Sequence, residues 1–315
     1  MLEILRLIRV RTLIFTLFVM YMVRFFVLRP LLIKNGFCLQ MPEEIFFLLV
    51  LSVCCLVAAA YVINDYFDTR TDRISGVKVV IVGRHITRRT AIILHAILNI
   101  TAIVLAFYVS LGVEKWKISL LFFLISGVLW FYSSCYKKYL LLGNVIVAVL
   151  VGLIPLSVVV FEIPLLEKAY MQMAFSPDFT FLYKWVLGFS IFLIVNTFIY
   201  EINKDNYTMS GDIEKGIVTV PLKWGRKTAR YLMGTIVGIC MLSVILLDLK
   251  VFPHSAYTLT YILLAIELPY LFYLYHIINS RSKRMLQLGT IRFIMVAGIA
   301  FAFIINCVLK TTSIL

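Results

Sequence analysis

The chain of 315 residues is strongly apolar: 62% of it is hydrophobic, 15% is charged, and its mean hydropathy is +0.99. A soluble domain averages about 45 to 50% apolar and about 25% charged residues, so the polar residues here are too few to cover a surface that faces water. The composition excludes a soluble globular protein and indicates a protein of the lipid bilayer. The net charge of +14 would suggest nucleic acid in a soluble chain, so the placement of the basic residues has to be examined.

Apolar stretches long enough to cross a bilayer follow one another along the chain. A transmembrane helix needs about 20 apolar residues, and the stretches of that length lie at residues 12–33, 43–64, 90–112, 118–135, 141–162, 181–200, 229–249, 257–278 and 291–311. They are too long for strands and lack the two-residue alternation of a membrane β-barrel. We therefore predict an all-α, polytopic membrane protein with nine spans, forming one domain over residues 1–315.

Lys and Arg residues are concentrated in alternate connections between these spans. The N-terminal arm and the connections after spans two, four, six and eight carry 21 of the 30 basic residues, against 7 on the opposite side. Cytoplasmic loops of membrane proteins are enriched in Lys and Arg. We therefore predict a cytoplasmic N-terminus and an outer C-terminus, and the basic balance calls for no nucleic-acid partner.

Acidic residues form a first cluster where the second span ends. Asn64, Asp68 and Asp72 recur every four residues, which places them on one face of a helix that continues beyond the apolar stretch, with Asp65 beside them. Like charges at this spacing repel by a few tenths of a kcal/mol per pair. The repetition therefore favours a cation that these side chains share.

A second acidic cluster follows the sixth span, on the same predicted side of the membrane. Glu201, Asp205 and Asp212 share one helical face, so two oxygen-rich faces are expected at the cytoplasmic ends of two helices. The cysteines and histidines show no metal-ligand spacing and are interpreted as packed side chains. Hard oxygen ligands favour Mg²⁺, which usually bridges one or two carboxylates to substrate phosphates. The pattern predicts a diphosphate substrate whose oxygens also meet Lys and Arg.

These motifs resemble those of the UbiA superfamily of intramembrane prenyltransferases. Residues 64–72 are similar to its NDxxDxxxD signature, residues 201–225 to its second aspartate region, and residues 132–144 to its Tyr/Lys motif. Thr208 departs from the pattern, because the family usually has Asp there. The stretch at residues 75–84 is loosely similar to the corresponding part of digeranylgeranylglyceryl-phosphate synthases.

The resemblance implies a role for each motif. It implies Mg²⁺ held by Asn64, Asp68, Asp72, Glu201, Asp205 and Asp212. It implies an acid–base role for Asp65 or Asp205, and substrate contacts from Tyr132, Tyr136, Lys137, Asn144 and Lys204. Arg24 is also assigned to substrate binding: a charge near the middle of a span is costly, so it should face the bundle interior, with an anionic headgroup or Glu267 as partner.

The function expected from this resemblance is Mg²⁺-assisted transfer of a prenyl group from an allylic prenyl diphosphate. The acceptor is membrane-soluble or aromatic, either a quinone precursor or a glyceryl-phosphate ether lipid, and the expected location is a bacterial cytoplasmic membrane. Three alternatives stay open: an ion-coupled transporter that uses the same carboxylates, a non-catalytic member of the superfamily, and acidic residues that only solvate helix ends. Transporters place their ionisable groups near the bilayer midplane, which differs from the pattern here.

Overall fold

Nine apolar helices occur in the part of the chain that the structure describes. The structure is a computed structural model that describes residues 2–75, 80–172, 177–252, 255–279 and 284–312, except for the side chains of residues 70–75 and 310–312. The helices long and apolar enough to cross a membrane are α1 (Val10–Lys34), α2 (Glu43–Ser75), α3 (Arg88–Gly112), α4 (Trp116–Ser134), α5 (Leu142–Tyr170), α6 (Thr180–Glu214), α7 (Gly225–Val251), α8 (Ala256–Ile278) and α9 (Arg284–Thr312). The prediction of an all-α protein with nine spans is confirmed.

Two of these helices are much longer than a bilayer requires. Helix α2 has 33 residues and α6 has 35, which corresponds to about 50 Å each, whereas the hydrocarbon core is about 30 Å thick. The extra turns lie beyond residues 64 and 200, where the apolar stretches end, and they carry the two acidic clusters. The prediction that both clusters lie on helices is confirmed.

Helices α1 and α8 each contain a short widened segment of π-helix. The segments are Val23–Leu28 and Leu263–Glu267, and in each case a proline follows two residues later, Pro30 or Pro269. Proline has no amide hydrogen and its ring clashes with the carbonyl four residues earlier. A wider turn ahead of it lets the helix continue through the membrane.

Helix α6 lies at the centre of the bundle. It packs against α2, α5, α7 and α9, and its buried residues belong to both large apolar clusters, Leu193 to one and Ile202 to the other. Two glycines allow this close packing, because a β-carbon on Gly152 or Gly298 would overlap a side chain of α6. The central helix therefore holds the second acidic cluster between its neighbours.

Candidate active site

Asp68 of α2 accepts two ammonium groups on one carboxylate oxygen. Lys137, in the short 3₁₀ turn Tyr136–Lys138 after α4, lies 2.5 Å from Asp68 Oδ1, and Lys215, just after α6, lies 3.1 Å from the same atom. Lys215 also donates to the carbonyl of Phe67 at 2.7 Å. All three charged side chains are at least four-fifths buried. The ion pairs join three separate parts of the chain at one end of the bundle.

The carboxylates of α6 are held by polar neighbours of other kinds. Asn144, at the start of α5, donates from Nδ2 to Asp205 Oδ2 at 2.9 Å, and Thr208 donates from Oγ1 to Asp212 Oδ2 at 2.7 Å. Lys204 forms an ion pair with Glu201 one turn earlier on the same helix. Asp205 and Asp212 are both buried, so these hydrogen bonds replace water that the carboxylates would otherwise bind.

The two acidic clusters belong to one site. The charges of Asp68 and Lys137 act directly on Asp212, and those of Glu201, Lys204, Asp205 and Asp68 act on the buried hydroxyl of Tyr132. The turn that carries Lys137 lies tightly on α5, because a β-carbon on Gly143 would come 2.9 Å from the Cα atom of Lys137. The structure thus brings Tyr132, Lys137, Asn144 and Lys204 together with the carboxylates, as the resemblance implied.

For three residues of the predicted site, the structure describes no direct contact with the carboxylates. Asn64 is partly buried and precedes Asp68 by one turn on α2, so it faces the same way. The side chain of Asp72 lies outside the described residues. Tyr136 is exposed, and its ring packs on Phe131 with 6.1 Å between centroids. Among the carboxylates whose side chains the structure describes, none contacts the Tyr136 ring.

Arg9 and Lys215 belong to the site although sequence reasoning missed them. Arg9 Nη2 donates to Asp65 Oδ1 at 3.2 Å, and its Cζ lies 4.2 Å from the centroid of the Tyr61 ring. Burial alone would lower the pKa of Arg9, but the negative groups around it, Asp65 foremost, together outweigh burial, so that the pKa is raised and Arg9 stays cationic. In the sequence both cations are explained by membrane topology. The position of Lys215, three residues after Asp212, was the available signal for that residue, and Arg9 had none.

Arg24 lies at the other end of the bundle. Its side chain is 1% exposed, so the prediction that it faces the interior is confirmed, but Glu267 as its partner is wrong. Its Nη1 donates to Glu162 Oε2 at 3.0 Å and its Nη2 to the carbonyl of Met41 at 2.5 Å. Glu162 lies 18 residues beyond Asn144 on α5, a distance of about 27 Å. Arg24 is therefore not among the residues that surround the carboxylates.

The donor atoms of the site suit a hard cation that also binds substrate. Among the described side chains, no three Asp, Glu, His or Cys residues lie close enough together to hold a metal ion alone. The acidic side chains instead form ion pairs with Lys137, Lys204 and Lys215. Every atom that could bind the metal is an oxygen. Mg²⁺ seldom sits in an all-protein cage and usually shares its coordination with phosphate oxygens. The residues present fit that arrangement.

Comparison with known proteins agrees with the motifs. The sequence model of the UbiA prenyltransferase family matches residues 12–297. A digeranylgeranylglyceryl phosphate synthase from Methanobrevibacter smithii is 25% identical over 261 residues, which cover 82% of this chain and 84% of the relative. The protein of the same name from Methanocaldococcus jannaschii is 26% identical over 229 residues, covering 70% of this chain and 69% of the relative.

Solved structures with the same fold cover nearly the whole chain. A UbiA homolog from Archaeoglobus fulgidus, solved with GPP and Mg²⁺, matches with a TM-score of 0.60 at 18% identity, over 97% of this chain and 99% of that one. The apo structure of a UbiA homolog from Aeropyrum pernix K1 matches with a TM-score of 0.57 at 14% identity, over 95% and 98% of the two chains. At these identities the comparison establishes the arrangement of helices.

Proposed function

The chain belongs to the UbiA prenyltransferase family and is an intramembrane prenyltransferase, and from that premise we propose that it prenylates a lipid-soluble glyceryl phosphate. The resemblance seen in the motifs is thereby confirmed. The donor in this proposal is an allylic prenyl diphosphate. Its apolar tail lies among the helices and its diphosphate lies at the carboxylate and lysine site.

The proposed transfer needs charge stabilisation at the leaving group. The C1–O bond of the donor breaks, and the diphosphate departs with the electron pair while Lys137, Lys204 and Lys215 neutralise its oxygens. The residues that would hold Mg²⁺ are Asn64, Asp68, Asp72, Glu201, Asp205 and Asp212. When bound, the ion would withdraw charge from the leaving oxygens.

Bond formation completes the proposed transfer at the same carbon atom. A hydroxyl oxygen of the acceptor bonds to C1 of the prenyl group, and its proton passes to the carboxylate of Asp65 or Asp205. Asp205 is buried beside Asn144, and Asp65 faces Arg9. Asp205 also lies close to Lys204, one of the side chains that neutralise the diphosphate.

One observation carries the proposal more than any other. Asp68 shares one carboxylate oxygen between Lys137 and Lys215, so two ammonium groups from different parts of the chain meet among the carboxylates. Ammonium groups in this position suit a ligand with several negative charges. A transporter would instead be expected to place its coupling carboxylates near the bilayer midplane, whereas these acids lie on helix turns beyond the apolar stretches.

The choice of acceptor is supported by the relatives. The proteins from Methanobrevibacter smithii and Methanocaldococcus jannaschii are both named digeranylgeranylglyceryl phosphate synthase. The protein is an integral, multi-pass membrane protein, and we place its site at the cytoplasmic face. These relatives are archaeal, so the expected bacterial membrane stays a prediction.

Product analysis tests the acceptor directly. Purified protein is incubated with Mg²⁺, with geranyl, farnesyl or geranylgeranyl diphosphate, and with an O-alkyl glyceryl phosphate, a hydroxybenzoate or a hydroxynaphthoate, and the products are identified by mass spectrometry. We expect a new ether of the glyceryl phosphate that EDTA abolishes. Transfer to an aromatic acid alone would overturn the proposed acceptor. Absence of both transfer and diphosphate release from every donor would identify a non-catalytic member of the family.

A further inference from the structure

Helix α9 carries an exposed arginine at the start of its apolar stretch. Arg292 lies eight residues after the start of α9, which is about 12 Å along the helix. None of the described carboxylates forms an ion pair with it; its partner is Tyr200 of α6, whose hydroxyl accepts a hydrogen bond from Nη2, and its Cζ lies 5.1 Å from the ring centroid. A long basic side chain at the end of an apolar stretch extends to the membrane interface, where anionic headgroups lie.

Tyr200 connects this arginine to the active site. It directly precedes Glu201, which pairs with Lys204. Helix α9 packs against both α1 and α6, and Arg9, which directly precedes α1, pairs with Asp65. Arg292 is thereby bound to the residue that adjoins the carboxylate cluster of α6.

The side chains around Tyr200 are suited to a phosphate group. A guanidinium group presents several N–H donors in a plane and binds phosphate oxygens in pairs. Arg292 uses one of its nitrogens on Tyr200, and the tyrosine, which accepts that bond, keeps its own O–H for donation. Basic pockets between helices on the cytoplasmic side of a membrane bind anionic lipid headgroups.

We propose that Arg292 and Tyr200 form the subsite for the phosphate monoester of a lipid acceptor. This subsite is separate from the lysines that neutralise the diphosphate of the donor. The inference rests on the proposed function, because it deepens the assignment of a glyceryl phosphate acceptor. It explains why an exposed cation within α9 lies beside a residue that adjoins the carboxylate cluster.

Steady-state kinetics separates the two phosphate sites. With Arg292→Gln we expect the KM for an O-alkyl glyceryl phosphate to rise by about tenfold or more, as for loss of a charged hydrogen bond, while the KM for the allylic diphosphate stays unchanged. Arg292→Lys should restore part of the affinity, and Tyr200→Phe should weaken it less than Arg292→Gln. The matched control is Lys227→Gln, which removes a cation 5.9 Å from the ring of Tyr231 on α7.

A binding assay without donor keeps the subsite testable apart from the reaction. Thermophoresis should show that wild type binds the O-alkyl glyceryl phosphate more tightly than the dephosphorylated O-alkylglycerol, and that Arg292→Gln abolishes this difference. Competition by phosphatidic acid but not by inorganic phosphate at the same concentration would identify a lipid phosphate as the ligand. Competition by inorganic phosphate alone would contradict a lipid ligand.

Equal binding of the O-alkyl glyceryl phosphate and the O-alkylglycerol by wild type would overturn the subsite even if prenyl transfer occurs. Preferential binding without transfer would overturn the proposed function only.

Discussion

At the scale of single residues, the site is characterised by carboxylates that lysines and short polar side chains already hold in place. Lys137 and Lys215 meet Asp68, whereas Thr208 and Asn144 donate to Asp212 and Asp205. Preorganised charges of this kind stabilise a leaving anion without the reorganisation that water would need. In the proposed complex the lysines turn to the diphosphate oxygens while the carboxylates bind the cation.

Replacing Asp68 should remove activity without removing the fold. Asp68→Ala deletes the carboxylate that Lys137 and Lys215 share, and we expect turnover to fall by about 10² to 10³, the usual effect of losing one charge-stabilising group. The matched control is Glu114→Ala, which breaks the exposed ion pair with Lys168 and should keep full turnover. Diphosphate release and thermal unfolding in detergent are measured for both variants, and wild-type turnover in Asp68→Ala would contradict the site.

Thr208 offers a test of how the departure from the family pattern affects metal binding. Its hydroxyl donates to Asp212, so the side chain lies within the acidic cluster. Thr208→Asp adds an anionic oxygen there, and we expect Mg²⁺ to bind more tightly, with half-maximal activity at a lower Mg²⁺ concentration. Calorimetric titration with Mg²⁺ gives a readout that is independent of turnover. An unchanged midpoint in both measurements would show that position 208 contributes no metal ligand.

At the scale of elements, α2 and α6 bring the acidic clusters together because both helices continue beyond the bilayer. Hydropathy predicted where the apolar stretches end, and the four-residue spacing of Asn64 and Asp68 predicted that the helix goes on. The widened turns at Val23–Leu28 and Leu263–Glu267 were not predicted. A proline follows each segment, but Pro155 and Pro164 lie within α5 without such a segment, so a proline in a span does not by itself predict one.

Only those site residues that lie within a recognisable sequence motif could be predicted. Lys137 and Asn144 were found because they lie within a recognisable segment, but Arg9 was not, since a basic residue before the first span already has an explanation in membrane topology. The partner of Arg24 was predicted wrongly because sequence spacing within helices says nothing about which face meets which neighbour. That information arises only from packing, which placed Glu162 beside Arg24.

The ion pair between Arg24 and Glu162 should affect stability and leave substrate binding unchanged. Glu162 also accepts hydrogen bonds from the amides of Gln40 and Met41, so it ties the connection before α2 to α5. Breaking a buried pair by removing one charge costs about 3 to 5 kcal/mol, and we expect Glu162→Gln to lower the Tm clearly. The exposed Glu44→Gln is the matched control. An unchanged Tm together with a raised KM for the donor would assign Arg24 to substrate binding instead.

At the scale of the whole molecule, the active site lies at the end of the bundle where the sequence predicts most of the basic residues. The end of α2, the start of α5 and the end of α6 lie on the side to which the order of the spans assigns 21 of the 30 Lys and Arg residues. Cytoplasmic loops are enriched in basic residues. The charge pattern therefore predicts that the diphosphate is bound and released at the cytoplasmic face.

Reporter fusions test this orientation. A reporter fused after Leu315 should be active on the outer side, whereas reporters inserted near Arg84 or Lys223 should be active in the cytoplasm, because an odd number of spans separates the two ends of the chain. Alkaline phosphatase and green fluorescent protein give opposite signals on the two sides. A cytoplasmic C-terminus would contradict the number of spans or their direction.

The most direct test of the central claim is the release of inorganic diphosphate by the purified protein. The assay supplies geranylgeranyl diphosphate and an O-alkyl glyceryl phosphate, varies Mg²⁺, and counts ether product and diphosphate in the same reaction. Because each transfer breaks one C1–O bond, we expect one diphosphate for each ether formed, with no release in EDTA and recovery when Mg²⁺ is restored. Release that persists in EDTA, or that Asp68→Ala leaves unchanged, would contradict the account.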